Sequence, residues 1–470
     1  YLLIKSIEFL GPIFIKFGQW ASTRKDLFPE DICHTLSHLQ KSASVHSWIY
    51  TKQLLKAIYG SNWRNIFVKF EHEMPIGSGC CAQVYKAWID LNAKVDIAQE
   101  PQISTFIESK PRFKHLKPKD SMMKYQQKLK LKRIFNNNVD KIQRGNMCIN
   151  RKLQPVAVKV LHPGIKKQLR RDLSIMRGIC KCATFIMPKL QWLSLIDCID
   201  EFSHIMENQV DMNLEAENLI QFSKNFSNKK EVIFPQPYKN FTQHEILVES
   251  FHEGSPISNY LDDQNTKLQG KLARMGVKTI LKMVFNDNFI HCDLHPGNIL
   301  VQTNYESSGK ISTWFWRFID RNYLPTYPRL VILDCGLVVS LNDRCRQNLK
   351  DVFRSVVMGK GELAAEYILE HSSHVSIDPD GFKNAIKNIV NTHLQSRTND
   401  HLKILQVNVS TVVSELFSAM VRHRVKQDGT FINVILSMVV IEGLGRSLDP
   451  NIDIFTEVIP FIFTNTTLCH

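Results

Sequence analysis

Apolar residues recur at helical spacing through the opening stretch "YLLIKSIEFLGPIFIKFGQWASTR". The pattern predicts a helix to about Arg24 with a weak point at Gly11-Pro12. "FPEDICHTLSHLQ" reads as a new helix with Pro29 in its first turn, and residues 46 to 70 as further helix. The texture changes at "MPIGSGCCAQVYKAWI", a glycine-bearing turn between two short strands. "PVAVKVLHP" is a compact apolar strand. Helical periodicity then runs from His162 to Phe226 and over residues 265 to 289. "EILVESFHEG" reads as strand then turn, and "FIHCDLHPGNILV" as a turn entering a strand. "LVILDCGLVV" reads as another strand, and everything from Asn342 onward as mainly helical.

Two long segments interrupt this order, at about 90–154 and about 302–328. The first contains "SKPRFKHLKPKDSMMKYQQKLKLKRIF", which fits either a solvated or disordered surface loop or an electrostatic dock for anionic lipid or nucleic acid. The second contains "WFWRF", which fits either packing or a membrane-interface patch. No repeats are visible. The chain has 470 residues, 44% hydrophobic and 22% charged, in the globular range. Its net charge of +14 suits an anionic partner. Eleven scattered cysteines without paired Cys-x-x-Cys spacing favour a reducing compartment over a disulfide framework or zinc site. No run of 18 apolar residues occurs, and "VILSMVVI" alone is too short to span a bilayer. The start at Tyr1 is that of a fragment or processed form, so a targeting or anchoring segment upstream stays possible.

Candidate chemistry lies in four motifs. In "HCDLHPGNIL", Asp293 is placed to face a substrate and Asn298 a metal ion. In "VILDCGLV", a strand delivers Asp334 to its end, and Gly336 permits a sharp turn; a carboxylate there suits a metal bridging two phosphates. In "VAVKV", Lys159 sits inside an apolar strand and needs an anionic partner. In "PIGSGCCAQVYKA", Gly77, Ser78, Gly79 and Val84 follow a phosphate-loop pattern, with Ala82 where a third glycine would stand. Each motif alone has an ordinary reading: a capped turn, an Asp-Gly turn, a snorkelling lysine, a hairpin. Their joint order predicts an α+β, bilobal protein-kinase-like fold, with a small strand-rich N-lobe, a larger helical C-lobe and an N-terminal helical extension. The expected domains are 1–70, 71–255 and 256–470. ATP and Mg²⁺ are the expected cofactors, with Asp293 and Lys159 catalytic and Asn298 and Asp334 on the metal.

The His-Pro-Gly within "HCDLHPGNIL" resembles both small-molecule phosphotransferases and the UbiB or aarF-domain family of atypical kinases. "KFGQ" (Lys16 to Gln19), "LFPEDICHTLSHLQ", "VLHPGIKKQLRRDL" and "IEGLGRSLDP" resemble the latter. An aminoglycoside- or choline-type kinase would lack the Lys-x-Gly-Gln helix. "GSGC" and the long insertions resemble an animal mitochondrial branch. The resemblance covers nearly the whole chain outside the insertions. It implies an extension over the usual protein-substrate groove, with Lys16 and Gln19 pointing into the active site and Lys159 paired with Glu215. It also implies a mitochondrial, membrane-associated setting. The implied role is in ubiquinone and lipid metabolism, with an anionic membrane or ubiquinone-pathway proteins as partners and no nucleic acid.

Two departures stand out. Gln209-Val210-Asp211 replaces the family's Glu-x-Asp, so Gln209 cannot form a charged pair with Lys16. The usually alanine-rich phosphate loop is "GSGCCA" here. Of the remaining polar residues, His291 reads as a backbone organiser rather than a metal ligand, and Cys80 and Cys81 as thiols beside the phosphate loop. The leading expectation is an ATP-dependent phosphotransferase or ATPase. The alternative is a nucleotide-binding scaffold with little net chemistry.

Overall fold

The computed structural model describes residues 2–28, 30–39, 45–93, 153–187, 194–261, 266–305, 326–372, 378–394, 409–452 and 454–463. The basic stretch and "WFWRF" lie outside them, as does Pro29. The chain divides into two compact units that interleave along the sequence. One comprises Tyr1–Gly18, Ser37–Ser174 and Pro237–Phe251; the other comprises Gln19–Leu36, Ile175–Gln236 and His252–His470.

The opening helix is broken where the sequence predicts. Helix α1 (Leu2–Leu10) gives way to α2 (Pro12–Thr23) at Gly11, whose φ is 111°. The unit boundary falls inside α2, between Gly18 and Gln19. Helices α3 (Glu30–Ser37), α4 (Trp48–Tyr59) and the short α5 (Trp63–Ile66) follow. The expected helix over 46–70 ends at Ile66. Phe67–Phe70 is instead strand β1, with Phe70 opposite Ala87. Pairing and aromatic packing decide this strand: Phe67 stacks on Phe70 at 5.8 Å, and Trp48 meets Phe70 edge-on at 4.9 Å.

The first unit is built on an antiparallel sheet of β1, β2 (Gly77–Ser78), β3 (Ala82–Asp90), β4 (Leu153–Leu161) and a later strand, Ile246–Ser250. Its order is β1, β3, β4, then Ile246–Ser250, with β2 paired to β3. Side chains alternate across the sheet. Tyr85, Ala87, Ile89, Val156, Val158, Val160, Ile246 and Val248 all face a core completed by Leu54, Leu55 and Ile58 of α4. Each large side chain so buried contributes about 1.5–3 kcal/mol.

The second unit is mainly helical. Helix α6 (Ile165–Ile186) spans the unit boundary. It is followed by α7 (Leu195–Gln209), α8 (Met212–Asn225) and strand β5 (Val232–Ile233). With Ile246–Ser250 counted as β6, the later elements are β7 (Ser255–Pro256), α9 (Thr266–Leu281), β8 (Ile290–His291), β9 (Ile299–Tyr305), β10 (Thr326–Ile332) and β11 (Val338–Val339). One sheet runs β5-β10-β9-β7, and β8 pairs with β11. The strands flanking the second insertion stay paired as far as Tyr305 and Thr326. Helices α10 (Asp343–Val357), α11 (Gly361–Glu370), α12 (Pro379–Leu394), α13 (Val409–Arg422), α14 (Gly429–Leu448) and α15 (Ile454–Phe463) complete the unit.

Helix α14 contains "VILSMVVI" and, among the described residues, is the one helix long and apolar enough to cross a membrane. It packs against α9, and Phe431, Ile432, Val434, Met438 and Ile441 are buried. Its hydrophobicity therefore serves a core.

An ion cluster holds the segment after α2. Arg24, 2% exposed, forks onto Asp26 at 2.8 Å and onto both Glu201 oxygens at 2.8 and 2.9 Å. Its guanidinium also lies 5.1 Å from the Trp20 ring, which packs on Phe202. Asn433 of α14 donates to Glu201 at 3.1 Å. Burial opposes the Arg24 charge, but the two carboxylates more than offset it, so the pKa is raised. Three segments distant in sequence meet at this cluster.

Candidate active site

The predicted residues fall into two sets, one in each unit. In the first unit the strand registers align Gly77 with Val84, Val84 with Lys159, and Lys159 with Leu247. These residues form one row across β2, β3, β4 and β6, on the face opposite the α4 core. Lys159 lies on an interior strand of that sheet, flanked by buried Val158 and Val160. A lysine snorkelling from a sheet edge is thereby ruled out. Lys16 belongs to the same unit, and the charges of Lys16 and Lys159 both act on the Cys81 thiol.

The glycine loop is a tight hairpin, closed by Gly79 N–H donating to Ala82 O at 2.8 Å. Neither Gly77 nor Gly79 has a positive φ. A Cβ on Gly77 would meet nothing within 4 Å, and one on Gly79 only Ala82 O at 3.7 Å. The fold does not require these glycines; their absent side chains leave open space.

A buried relay braces this loop. His162 Nε2 lies 3.0 Å from Gly79 O, and its backbone N–H donates to Cys81 O at 2.8 Å. A carbonyl can only accept, so Nε2 carries the proton and the neutral ring offers Nδ1 as acceptor. That atom lies 2.7 Å from His46 Nδ1, which must therefore donate. His46 Nε2 accepts from Thr51 Oγ1 at 3.0 Å, and Thr51 accepts from the Tyr85 hydroxyl at 3.0 Å. Gln83 Nε2 donates to Tyr85, and Gln83 Oε1 accepts the His46 backbone N–H at 3.1 Å. Burial pushes the pKa of His46 down to about 3 and lowers that of His162, so both rings are neutral.

In the second unit the loop after β8 and the loop after β10 are joined at several points. Ile332 pairs with Ile299 and His291 with Val338. Leu333 N–H donates to Asn298 O at 2.9 Å, and Cys292 N–H to Leu337 O at 3.1 Å. His291, fully buried, donates from Nε2 to Leu333 O at 3.2 Å and accepts the Asp293 N–H on Nδ1 at 3.2 Å. Burial lowers its pKa against the opposing charges of Asp293 and Asp334, which keeps this tautomer neutral. His291 is thus the backbone organiser that the sequence suggests.

Asn298 donates from Nδ2 to Asp293 O at 3.0 Å, leaving its amide oxygen as the remaining acceptor. His295 Nδ1 accepts the Gly297 N–H at 3.0 Å, and a Cβ on Gly297 would clash with that ring at 2.8 Å. Asp334 is exposed and left-handed at φ 57°. Few side chains other than Asp and Asn tolerate that conformation. Glu215 Oε2 and Asp334 Oδ1 lie 3.6 and 3.7 Å from where a Cβ on Gly336 would sit. The two carboxylates thus flank one glycine. One turn further along α8, Asn218 Nδ2 holds Cys335 O at 2.9 Å.

Glu215, Asp293, Asn298 and Asp334 all belong to the second unit, as does Gln19. The Ser22 hydroxyl donates to the Gln19 backbone carbonyl at 2.6 Å. Asp211 caps α8 by accepting the Asn213 N–H at 3.0 Å, and Gln209 ends α7. Among the described residues, no group of three or more His, Cys, Asp or Glu side chains could hold a metal. A Mg²⁺ ion that shares phosphate oxygens needs only one or two carboxylates, and the Asn298 amide and Asp334 carboxylate are hard oxygen donors of that kind. The sequence reading passed over Asn218, the His46–His162 relay and the Arg24 cluster. Asn218 had one readable signal, its position three residues beyond Glu215 on the same helical face.

Residues 149–368 match the family described as ABC1 atypical kinase-like domain, and residues 400–453 match the UbiB helical domain. A mitochondrial ABC1 family protein of Schizosaccharomyces pombe is 30% identical over 98% of this chain and 64% of its own length. A probable serine/threonine-protein kinase, abkC of Dictyostelium discoideum, is 28% identical over 98% and 64%. The probable protein kinase UbiB of Vibrio cholerae is 24% identical over 97% and 69%. The chain therefore spans a little under two thirds of the length of the first two relatives.

Proposed function

The chain belongs to the ABC1/UbiB family of atypical kinase-like proteins, and from that premise we propose that it binds ATP with Mg²⁺ and acts as a phosphotransferase or ATPase. The observation that carries the reading is the joining of two loops, which gathers Asp293, Asn298 and Asp334. Asn298 and Asp334 would hold the metal, whose charge offsets that developing on the phosphates. Asp293 accepts the proton of the attacking hydroxyl or water. Lys159 neutralises phosphate, while Gly77, Ser78, Gly79 and Val84 line the phosphate side.

The biological setting we assign is the mitochondrion, at an anionic membrane, in support of ubiquinone biosynthesis and lipid metabolism. A mitochondrial relative and the net charge of +14 support that assignment. "GSGC" and the long insertions favour the animal mitochondrial branch of the family.

The test is Mg²⁺-dependent ATP hydrolysis by the purified chain, with and without cardiolipin-containing liposomes, beside Asp334→Asn. Turnover that needs Asp334 and rises with liposomes supports the reading. Nucleotide binding without Asp334-dependent turnover in either condition replaces it with a nucleotide-binding scaffold.

A further inference from the structure

The hairpin tip between β2 and β3 carries two adjacent cysteines, Cys80 half-buried and Cys81 buried. Their sulfurs lie 3.5 Å apart in a hydrogen bond. Both are free cysteines, joined to no other sulfur. We propose that Cys80 and Cys81 form a reversible disulfide that reshapes the phosphate loop, with a low-molecular-weight disulfide of the glutathione type as oxidant. The loop half of this proposal rests on the nucleotide reading above.

Geometry divides the roles of the two thiols. Cys80 is the accessible sulfur and reacts first, as the nucleophile. Cys81 sits beneath it, where the charges of Lys16 and Lys159 favour its thiolate but are outweighed by the hydrogen bond to Cys80 and by burial. Its pKa is thereby raised, so it holds its proton while Cys80 reacts. The Cys80 thiol gives up its proton, and its sulfur attacks one sulfur of the oxidant. The first leaving thiolate takes that proton. Cys81 then loses its proton and attacks the Cys80 sulfur, and the second leaving thiolate takes it. Two protein thiols are oxidised by two electrons, and one disulfide becomes two thiols.

The product is strained and therefore labile. Adjacent Cα atoms are about 3.8 Å apart, below the roughly 4.4–6.8 Å of relaxed disulfides. Strained disulfides are the readily reduced ones, which suits a reversible mark. Ring closure must also turn the Cys80–Cys81 peptide. The carbonyls on either side of Cys80 and Cys81 are already committed: Gly79 O to His162 Nε2, Cys81 O to His162 N–H, and Ala82 O to Gly79 N–H. Turning that peptide breaks part of this set and moves Gly77 out of the Lys159 row.

The reduced full chain is equilibrated in mixtures of reduced and oxidised glutathione. Three quantities are read: intact mass with peptide mapping, hydrogen exchange at the His162 amide, and Mg-ATP affinity. The proposal expects loss of two hydrogens mapped to Cys80–Cys81, faster exchange at His162, and affinity weaker by at least about tenfold. All three reverse with dithiothreitol and are absent from Cys80→Ser and Cys81→Ser. Bound ATP shifts the oxidation midpoint toward more oxidising glutathione mixtures, because coupling between two sites at equilibrium is reciprocal. A glutathione adduct that persists on Cys80 without ring closure overturns the proposal. So does a disulfide that leaves His162 exchange unchanged. A reduced chain that forms the disulfide and changes exchange but never binds ATP overturns the nucleotide reading instead.

Discussion

The sheet row of the first unit and the joined loops of the second present polar groups by opposite means. In the first, the framework is complete without the ligand-facing atoms. Gly77 and Gly79 have ordinary backbone angles and open space where side chains would stand. In the second, the functional residues are themselves part of the framework. Asp334 occupies a left-handed conformation, Asn298 bonds back to Asp293, and His291 bridges both loops. Substitutions in the row should therefore change binding with little change in stability, whereas substitutions in the loops should change both.

The largest effect expected is that of Asp334→Asn on turnover, a fall on the order of 10²–10³-fold. Asparagine tolerates the left-handed backbone, so thermal stability should hold. Asp334→Ala should lose turnover and also stability, by about 1 kcal/mol, while Asp334→Gly loses turnover and gains stability. If both variants unfold at the wild-type temperature, the backbone at 334 is not the constraint described.

Next in size is His291→Leu. It removes a buried donor to Leu333 O and a buried acceptor for Asp293 N–H, with an expected cost of about 2–4 kcal/mol in denaturant unfolding and a loss of turnover. Wild-type unfolding with lost turnover would instead make His291 a purely chemical group.

Acid should affect both regions. The folded-state pKa values of His46, His162 and His291 are lowered, by burial above all. The unfolded chain therefore binds the extra protons as pH falls. Their stabilisation is complete above about 6.5, the ordinary histidine value, and is lost below it, for His46 down to about 3. His46→Gln and His162→Gln should each flatten part of the curve of unfolding free energy against pH. A curve unchanged in both variants would remove the relay from the account.

The smallest effect on stability is expected from Gly77→Ala, within about 0.5 kcal/mol, because the added methyl meets open space. Its effect should appear in the ratio of ATP to ADP affinity, measured by calorimetry. An unchanged ratio would mean that no phosphate approaches that position.

How far these regions were legible in the sequence follows the same division. The Gly77–Val84–Lys159 row was readable because glycine spacing and an interior lysine in an apolar strand are local signals. So were the two loops, whose Asp, Asn and Gly stand at fixed short offsets. Strand β1 was misread as helix because "FVKF" has too few residues to establish a period, and pairing with β3 decides it. The Arg24–Asp26–Glu201 cluster was not readable at all, since one partner lies 177 positions away. It also bears on the Gln209 substitution: the segment after α2 has an ionic anchor on α7 that does not involve position 209. The histidine relay was hidden for the same reason, with His46 and His162 separated by 116 positions.

The β9–β10 hairpin has a practical consequence. Its arms are zipped from Ile299–Ile332 to Tyr305–Thr326, so the two ends of the intervening segment are held at hairpin spacing by the sheet itself. Closure entropy grows only slowly with loop length, and it is the arms that fix the register. The junction is therefore a splice port. A short turn, an affinity tag or a fluorescent reporter could replace residues 306–325 there, at the far end of the strands that deliver Asn298 and Asp334, giving a handle for immobilising or tracking the protein.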